Sequence, residues 1–212
     1  MIDCKELLEV RTAPVALPPG APEKLARYIE LLAKWNQTYN LTAIREPDRM
    51  ATHHVLDALY VLPHIASGSS RSGIRLLDVG SGGGVPAIPI AIARPEWTIV
   101  ALDSNHKKGA FLRQAAIEIP LPNLEVAIAR VEDYAPSAPF DVVISRAFSD
   151  LATFAELGVR HVAVRGQLVA MKGVYPDEEI AQLPSAFRVI AAPSLTVPGI
   201  DAARHLILME RA

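Results

Sequence analysis

Asp78, Gly80, Gly82, Gly84 and Asp103 are the residues of this chain whose types and spacing point to chemistry on a bound ligand. The glycines occupy alternate positions directly after the apolar run Leu76, Leu77 and Val79, and an apolar stretch resumes at Val85. That order reads as strand, tight loop, helix. Glycine permits φ > 0 and has no Cβ to fend off a ligand. A helix starting behind such a loop aims its free N–H groups at the same spot. A dinucleotide fingerprint, GxGxxG, requires its third glycine at position 85, where Val85 stands, so nicotinamide chemistry is disfavoured. A loop that only turns the chain is the plainer alternative. Asp103 closes the β-branched run from Thr98 to Leu102, twenty-five positions after Asp78. Beyond the carboxyl end of a strand in an open α/β sheet, such an acid can accept both hydroxyls of a ribose. Its other reading is an N-cap for a helix that starts near Asn105.

The elements that must position these groups follow from periodicity. Residues 11–22 hold four prolines and a glycine and read as an extended lead-in. Pro22 and Glu23 suit a helix start. Leu25, Tyr28, Ile29, Leu32 and Trp35 then repeat at helical steps to about Tyr39 and Asn40. Asp48 is the expected N-cap of a second helix with Met50, Val55, Leu59 and Leu62 on one face, closing near Pro63. His54 and Asp57 are an i, i+3 pair within hydrogen-bonding reach, more simply structural than catalytic. Residues 67–73 form a connector. From Arg75 the pattern predicts strands at 75–79, 98–102, 124–128, 140–145 and 166–171. Helices fall at 86–94, 106–119 and 151–162. Repeated βα units imply a parallel sheet covered by helices on both faces. Strands at 187–191 and 205–210 then add an antiparallel edge hairpin and bring the sheet to seven strands.

Composition narrows the class. A chain of 212 residues, half of them hydrophobic and about a fifth charged, builds one globular domain or one domain with a small extension. No apolar run approaches the roughly 18 residues of a membrane span. The amino terminus lacks a basic start and apolar core, so it does not read as a secretory signal. Cys4 is the single cysteine and no Cys/His cluster suggests a metal, which points to a reducing cytoplasm. The net charge of -2 excludes a broad basic field for coating nucleic acid. An RNA partner would have to be held by a local patch, to which the fifteen arginines are suited.

The GxGxG loop with Asp78 before it resembles motif I of the Rossmann-type, S-adenosylmethionine-dependent methyltransferases. A longer series is more specific: WNQTYNLTAI (35–44), HHVLDAL (53–59), DVGSGGG (78–84), DSNHKKGAFL (103–112), ARVEDY (129–134), SRAF (145–148), MKG (171–173) and PGIDAARHL (198–206). From about Leu25 to Leu208 the chain resembles the bacterial GidB (RsmG) family, methyltransferases of guanine N7 in 16S ribosomal RNA. The resemblance implies a class I methyltransferase fold: a Rossmann-like, mostly parallel seven-stranded sheet with an N-terminal helical extension. The extension would be residues 1–74 and the cofactor-binding core 75–212. It also implies action near the 530 loop, 16S rRNA or the small ribosomal subunit as partner, and a cytoplasmic monomer without metal or membrane contact. Val85 stands where the family has an aromatic residue and Ala87 where it has a glycine. Ala58 lacks the family's hydroxyl, and Lys107 with Lys108 replaces its Lys-Arg pair, losing a bidentate fork.

Under this resemblance Gly80, Gly82, Gly84 and Val85 pass beneath the methionine and ribose parts of S-adenosylmethionine. Asp103 holds the ribose, while Val131 and Glu132 bracket the adenine. Glu132 is equally readable as an acid at a helix start. Arg146 lies against cofactor and guanine and orients the base, its alternative being a pair with Asp141. Lys107, Lys172 and Arg204 are candidate phosphate contacts, each also readable as an ordinary surface charge. Two rival functions stand beside this one: a methyltransferase acting on a small molecule or protein, and a noncatalytic RNA-binding or assembly factor that retains the fold.

Overall fold

The computed structural model describes residues 12, 15–65, 73–146, 148 and 150–212. Cys4 and all but Gly73 of the expected connector at 67–73 lie outside them. Among the described residues four helical pieces come first: α1 (Ala21–Tyr39), α2 (Pro47–Met50), α3 (Asp57–Leu59) and α4 (Leu62–Ile65), with a π-helical segment Ala51–Leu56 between α2 and α3. The alternating part follows as β1 (Arg75–Val79), α5 (Ala87–Ala93), β2 (Thr98–Asp103), α6 (His106–Glu118), β3 (Leu124–Ile128), β4 (Phe140–Ser145), α7 (Leu151–Gly158) and β5 (Val162–Lys172). The chain closes with α8 (Asp177–Ala181), β6 (Phe187–Ala191) and β7 (His205–Arg211). The strands form one seven-stranded sheet in the order β3-β2-β1-β4-β5-β7-β6. Every pair is parallel except β5 with β7 and β7 with β6, which is the expected edge hairpin.

Strand alternation divides the core. Leu76, Ile99, Val142, Ile144 and Val169 point to the face covered by α1, the π segment, α5 and α6. Leu77, Val79, Val100, Val143 and Leu168 point to the other, packed with Leu151, Phe154 and Ala155 of α7. Successive residues of β1 therefore bury into opposite layers, as a sheet covered on both sides demands. Helix α1 belongs to the first layer because Leu25, Tyr28, Ile29 and Leu32 repeat on one face and are all buried. It stops at Asn40, whose φ of 48° is the left-handed cap that asparagine tolerates.

Three local expectations need correction. The helix after α1 is capped at Glu46 with Pro47 in its first turn, so Asp48 lies inside the helix; proline's preset φ decides the start. That helix is also not continuous: Ala51–Leu56 winds with the wider π repeat, and Leu62–Ile65 forms a separate turn that includes Pro63. Helix α7 ends at Gly158 and β5 already begins at Val162. A Cβ on Gly158 would stand 2.9 Å from the end of the Leu168 side chain, so glycine lets the helix end settle closely on the sheet. Val162 pairs with Phe140, and the register then jumps to Val142 with Gln167. This bulge, with Arg165 at φ 70°, hid the first half of β5 from a period-two reading.

Candidate active site

The carboxyl ends of β1, β2 and β4 lie side by side, with Val79 in register with Leu102 and Asp78 with both Ala101 and Ile144. The loop leaving β1 is tied down at once, since the N–H groups of Gly80 and Ser81 both donate to Leu102 O, at 2.8 and 3.0 Å. Gly82, at φ 60°, donates its N–H to Asp103 Oδ2 at 2.9 Å. Asp103 thus faces the loop and does not cap α6. The cap is Asn105, whose side chain accepts from Lys107 N and Lys108 N. Asp103 is 6% exposed and also accepts from Asn105 N at 2.8 Å, with Lys108 Nζ 3.7 Å from Oδ2. Two backbone donors hold this carboxylate in place. A carboxylate offers about four acceptor positions, so lone pairs remain for a ligand.

Beside it is a cavity of about 210 Å³ lined by Gly80, Asp103, Ser104, Val131, Glu132 and Phe148, with Leu102, Ala129 and Leu157 among its apolar walls. Val131 and Glu132 reach it from a 3-10 turn, Val131–Asp133, with Val131 buried and Glu132 exposed. Val131 O is held at 2.9 Å by buried His161. The structure therefore brings Gly80, Asp103, Val131 and Glu132 around one space. Gly84 and Val85 do not line this space. Val85 is 4% exposed and belongs to the core, and a Cβ on Gly84 would collide with Ile88. Ser104 and Phe148 were missed from sequence, although Phe148, an aromatic just beyond a strand end, was a usable signal.

Under the glycine loop Asp78 is fully buried. Its Oδ2 accepts from Ser81 Oγ at 2.6 Å and from Ala87 N at 3.2 Å, while Oδ1 has no partner. Burial pushes its carboxyl up to about 7, against the hydrogen bonds from Ser81 and Ala87 and the charge of Arg146. This value lies above the roughly 3.9 of an unfolded aspartate, so the folded state binds the proton more tightly. The contribution to stability is complete below about pH 4 and is lost as pH rises toward 7. Urea melts of the unliganded protein should lose stability over that window, at most about 1.4 kcal/mol per pH unit. Asp78→Asn should flatten the dependence, and an unaltered slope in that variant would refute it.

The loop is also held from α1. Tyr28 is buried and its hydroxyl donates to Gly83 O at 2.6 Å. Tyr28→Phe leaves that carbonyl without its partner, which should cost about 1–3 kcal/mol in thermal or urea unfolding. A cost near zero would show that water takes over the bond.

A second cavity, of about 260 Å³, opens at the ends of β4 and β5 and is lined by His53, His54, Asp57, Arg146, Lys172 and Arg204. Arg146 does not pair with Asp141, which accepts from Arg75 N at the far end of β4, five residues or about 16 Å away along the strand. Its Nη1 instead donates to His53 O and His54 Nδ1, each at 3.0 Å. His54 and Asp57 do not pair with each other. Asp57 accepts from Arg204 Nε at 3.2 Å, and Lys172 Nζ sits 2.7 Å from Glu179 Oε2. Asp57 is raised by burial against the opposing charges of Arg204 and Arg146. His54 is lowered to about 4, chiefly by burial and then by Arg146, so its ring is neutral. Lys172 and Arg204 therefore meet Arg146 around one mouth, each already braced by a carboxylate. Lys107 is exposed on the first turn of α6 and lines neither cavity.

A glycine loop, a buried carboxylate with spare acceptor positions and a cationic second chamber thus lie at adjacent strand ends. The sequence pattern of the family described as rRNA small subunit methyltransferase G, GidB, matches residues 21–207. The chain belongs to the GidB family. Two curated GidB relatives carry the name Ribosomal RNA small subunit methyltransferase G. The one from Laribacter hongkongensis is 52% identical over 208 residues, 97% of this chain and 98% of the relative. The one from Chromobacterium violaceum is 56% identical over 187 residues, 88% and 87% of the two chains. Among solved structures, the glycopeptide N-methyltransferase MtfA in complex with S-adenosyl-L-methionine superposes with a TM-score of 0.61 at 15% identity, covering 75% of this chain and 87% of its own. MtNAS in complex with MTA and tNA gives 0.60 at 13%, covering 90% and 73%. At such identities these likenesses establish the class I methyltransferase fold for this GidB chain.

Proposed function

We propose that this GidB protein transfers a methyl group from S-adenosylmethionine to guanine N7 of 16S ribosomal RNA, near the 530 loop. The observation that carries the reading is the pairing of the two cavities. One is built for an adenosine: Asp103 for ribose hydroxyls, Val131, Leu102 and Phe148 for an apolar ring, Glu132 at the edge. The other, around Arg146, Lys172 and Arg204, is cationic and suits an acceptor-rich base with its phosphates. The unpartnered Asp78 Oδ1 fits a positively charged ligand, whose approach would favour the ionised carboxylate. Gly82 and Gly84 shape the loop, and Val85 supports it from the core side; any contact of these three with the cofactor is made through backbone.

S-adenosylmethionine supplies an electrophilic methyl on a sulfonium. Guanine N7 carries an available lone pair and loses no proton before attack, so no strong general base is required. What remains for the protein is orientation, which can supply roughly 7–11 kcal/mol of a barrier. Arg146 is assigned that task, with its guanidinium held on the π segment and its side chain lining the cavity. Guanine presents two acceptors, N7 and O6, on the edge concerned, whereas adenine presents a donor there. A donor-only guanidinium that reaches O6 favours guanine and leaves the N7 lone pair free to take the methyl. Lys107, Lys172 and Arg204 guide the surrounding phosphates, and their loss should flatten the salt dependence of RNA binding.

Residues 1–74 are read as an extension serving the core of 75–212, and the protein as a cytoplasmic monomer. Among the described residues no helix is long and apolar enough to cross a membrane, and no group of three or more His, Cys, Asp or Glu is placed to hold a metal. The deciding experiment incubates the protein and labelled S-adenosylmethionine with small subunits and with free 16S RNA from a deletion strain, followed by mapping of the modified nucleotide. Label on N7 of one guanine supports the reading. Binding without incorporation would favour an assembly factor, and label only in a metabolite pool a small-molecule enzyme.

A further inference from the structure

The string from Trp35 to Ile44 and the pair His53–His54 gain a role that their composition does not disclose. Asn36 is 2% exposed, accepts from Thr42 N at 2.9 Å and donates to Ile44 O at 3.0 Å, so it sets the loop that follows α1. Thr42 Oγ1, accepting from Ile44 N at 3.2 Å, meets His54 Nε2 at 2.8 Å. On the other side of the ring, His54 Nδ1 meets Arg146 Nη1 at 3.0 Å. Nδ1 also lies 3.0 Å from the carbonyl of His53, which can only accept. That carbonyl already takes a proton from Arg146 Nη1, and an Nδ1–H would face the guanidinium N–H head-on, so Nδ1 is the acceptor and the ring proton sits on Nε2, facing Thr42 Oγ1. The wider winding of the π segment brings the carbonyl of His53 and the ring of His54 to the same Arg146 nitrogen. Irregular π turns of this kind are frequent at functional sites.

We infer that His54 is a positioning residue for methyl transfer: in the Nε2–H tautomer, with Thr42 accepting from Nε2, it presents Nδ1 as the acceptor that aims Arg146 at the target base. This rests on the reading that Arg146 orients the base. His54 is nearly buried and neutral at working pH, with its pKa lowered to about 4 by burial and by Arg146 itself. A protonated ring would repel the guanidinium. The ring therefore serves by geometry and not by proton transfer.

Two substitutions separate this role from simple support of the fold. Asparagine places its amide oxygen near the position of Nδ1, whereas glutamine reaches the position of Nε2. His54→Asn should keep turnover on small subunits within about tenfold of the parent, since the acceptor for Arg146 survives. His54→Gln, which preserves only the contact to Thr42, should lower kcat by roughly 10²-fold with little change in cofactor affinity. Combining it with Arg146→Ala should add no further loss, because the two act as a unit. Equal losses in the two variants, or the reverse order, would overturn the inference while leaving the role of Arg146 intact. Full turnover in Arg146→Ala would instead remove the reading on which it depends. If the His54 variants do not fold, nitrogen NMR of the parent protein decides: Nδ1 must resonate as an unprotonated ring nitrogen, and a protonated Nδ1 refutes the proposal.

Discussion

Arg146→Ala should lower kcat for methyl transfer to ribosomal RNA by roughly 10²–10³-fold, the usual cost of removing one preorganised donor from the reacting centre. The physical basis is the way this side chain is held. Its Nη1 is fixed by His53 O and His54 Nδ1, so the guanidinium has a set direction before any substrate arrives. That ordering is free of reorganisation at the moment of reaction. Arg146→Lys should rescue little, because an ammonium on a flexible stem can satisfy the two acceptors or reach the base but cannot reproduce the planar fork. Single-turnover rates with saturating S-adenosylmethionine, on small subunits from a deletion strain, are the measurement. The loss should appear in kcat, with the cofactor's dissociation constant altered only slightly. Turnover equal to that of the parent would remove Arg146 from the mechanism.

Asp103→Ala should act on the other cavity. Hydrogen bonds to a charged acceptor contribute about 1.5–3 kcal/mol, so cofactor binding should weaken by roughly 10–150-fold. The substitution also strips Gly82 N–H and Asn105 N–H of their acceptor, which loosens both the glycine loop and the start of α6. Asp103→Asn retains one oxygen but loses the charge and should fall between the two. Calorimetric titration with S-adenosylmethionine reads the effect, and kcat at saturating cofactor should change far less than affinity. An unaltered dissociation constant in Asp103→Ala would refute the ribose assignment and with it the adenosine character of the cavity.

These two residues differ in how far the sequence revealed them. Asp103 is legible from its position at the end of a β-branched run, because a strand in a parallel sheet has only one end at which ligands collect. The structure then decides between its two readings: Asn105 takes the helix N-terminus, and Asp103 turns to the loop. Arg146 is legible by position in the same way. Its partners are not, since they come from residues 53 and 54, more than ninety positions earlier.

Local order was available in the chain itself. Glycine spacing, helical steps from Leu25 to Trp35 and the alternation of apolar strands with helices determine a parallel sheet with a ligand loop after β1, because these depend on backbone sterics and on which side chains can be buried. Where Val85 points, why the Asp78 carboxyl is pushed up to about 7 and why Thr42, His54 and Arg146 form one chain of hydrogen bonds were settled only by tertiary structure. Each depends on which distant groups share a water-poor space. Burial and hydrogen-bond direction are properties of the packed molecule, and no spacing along the chain encodes them.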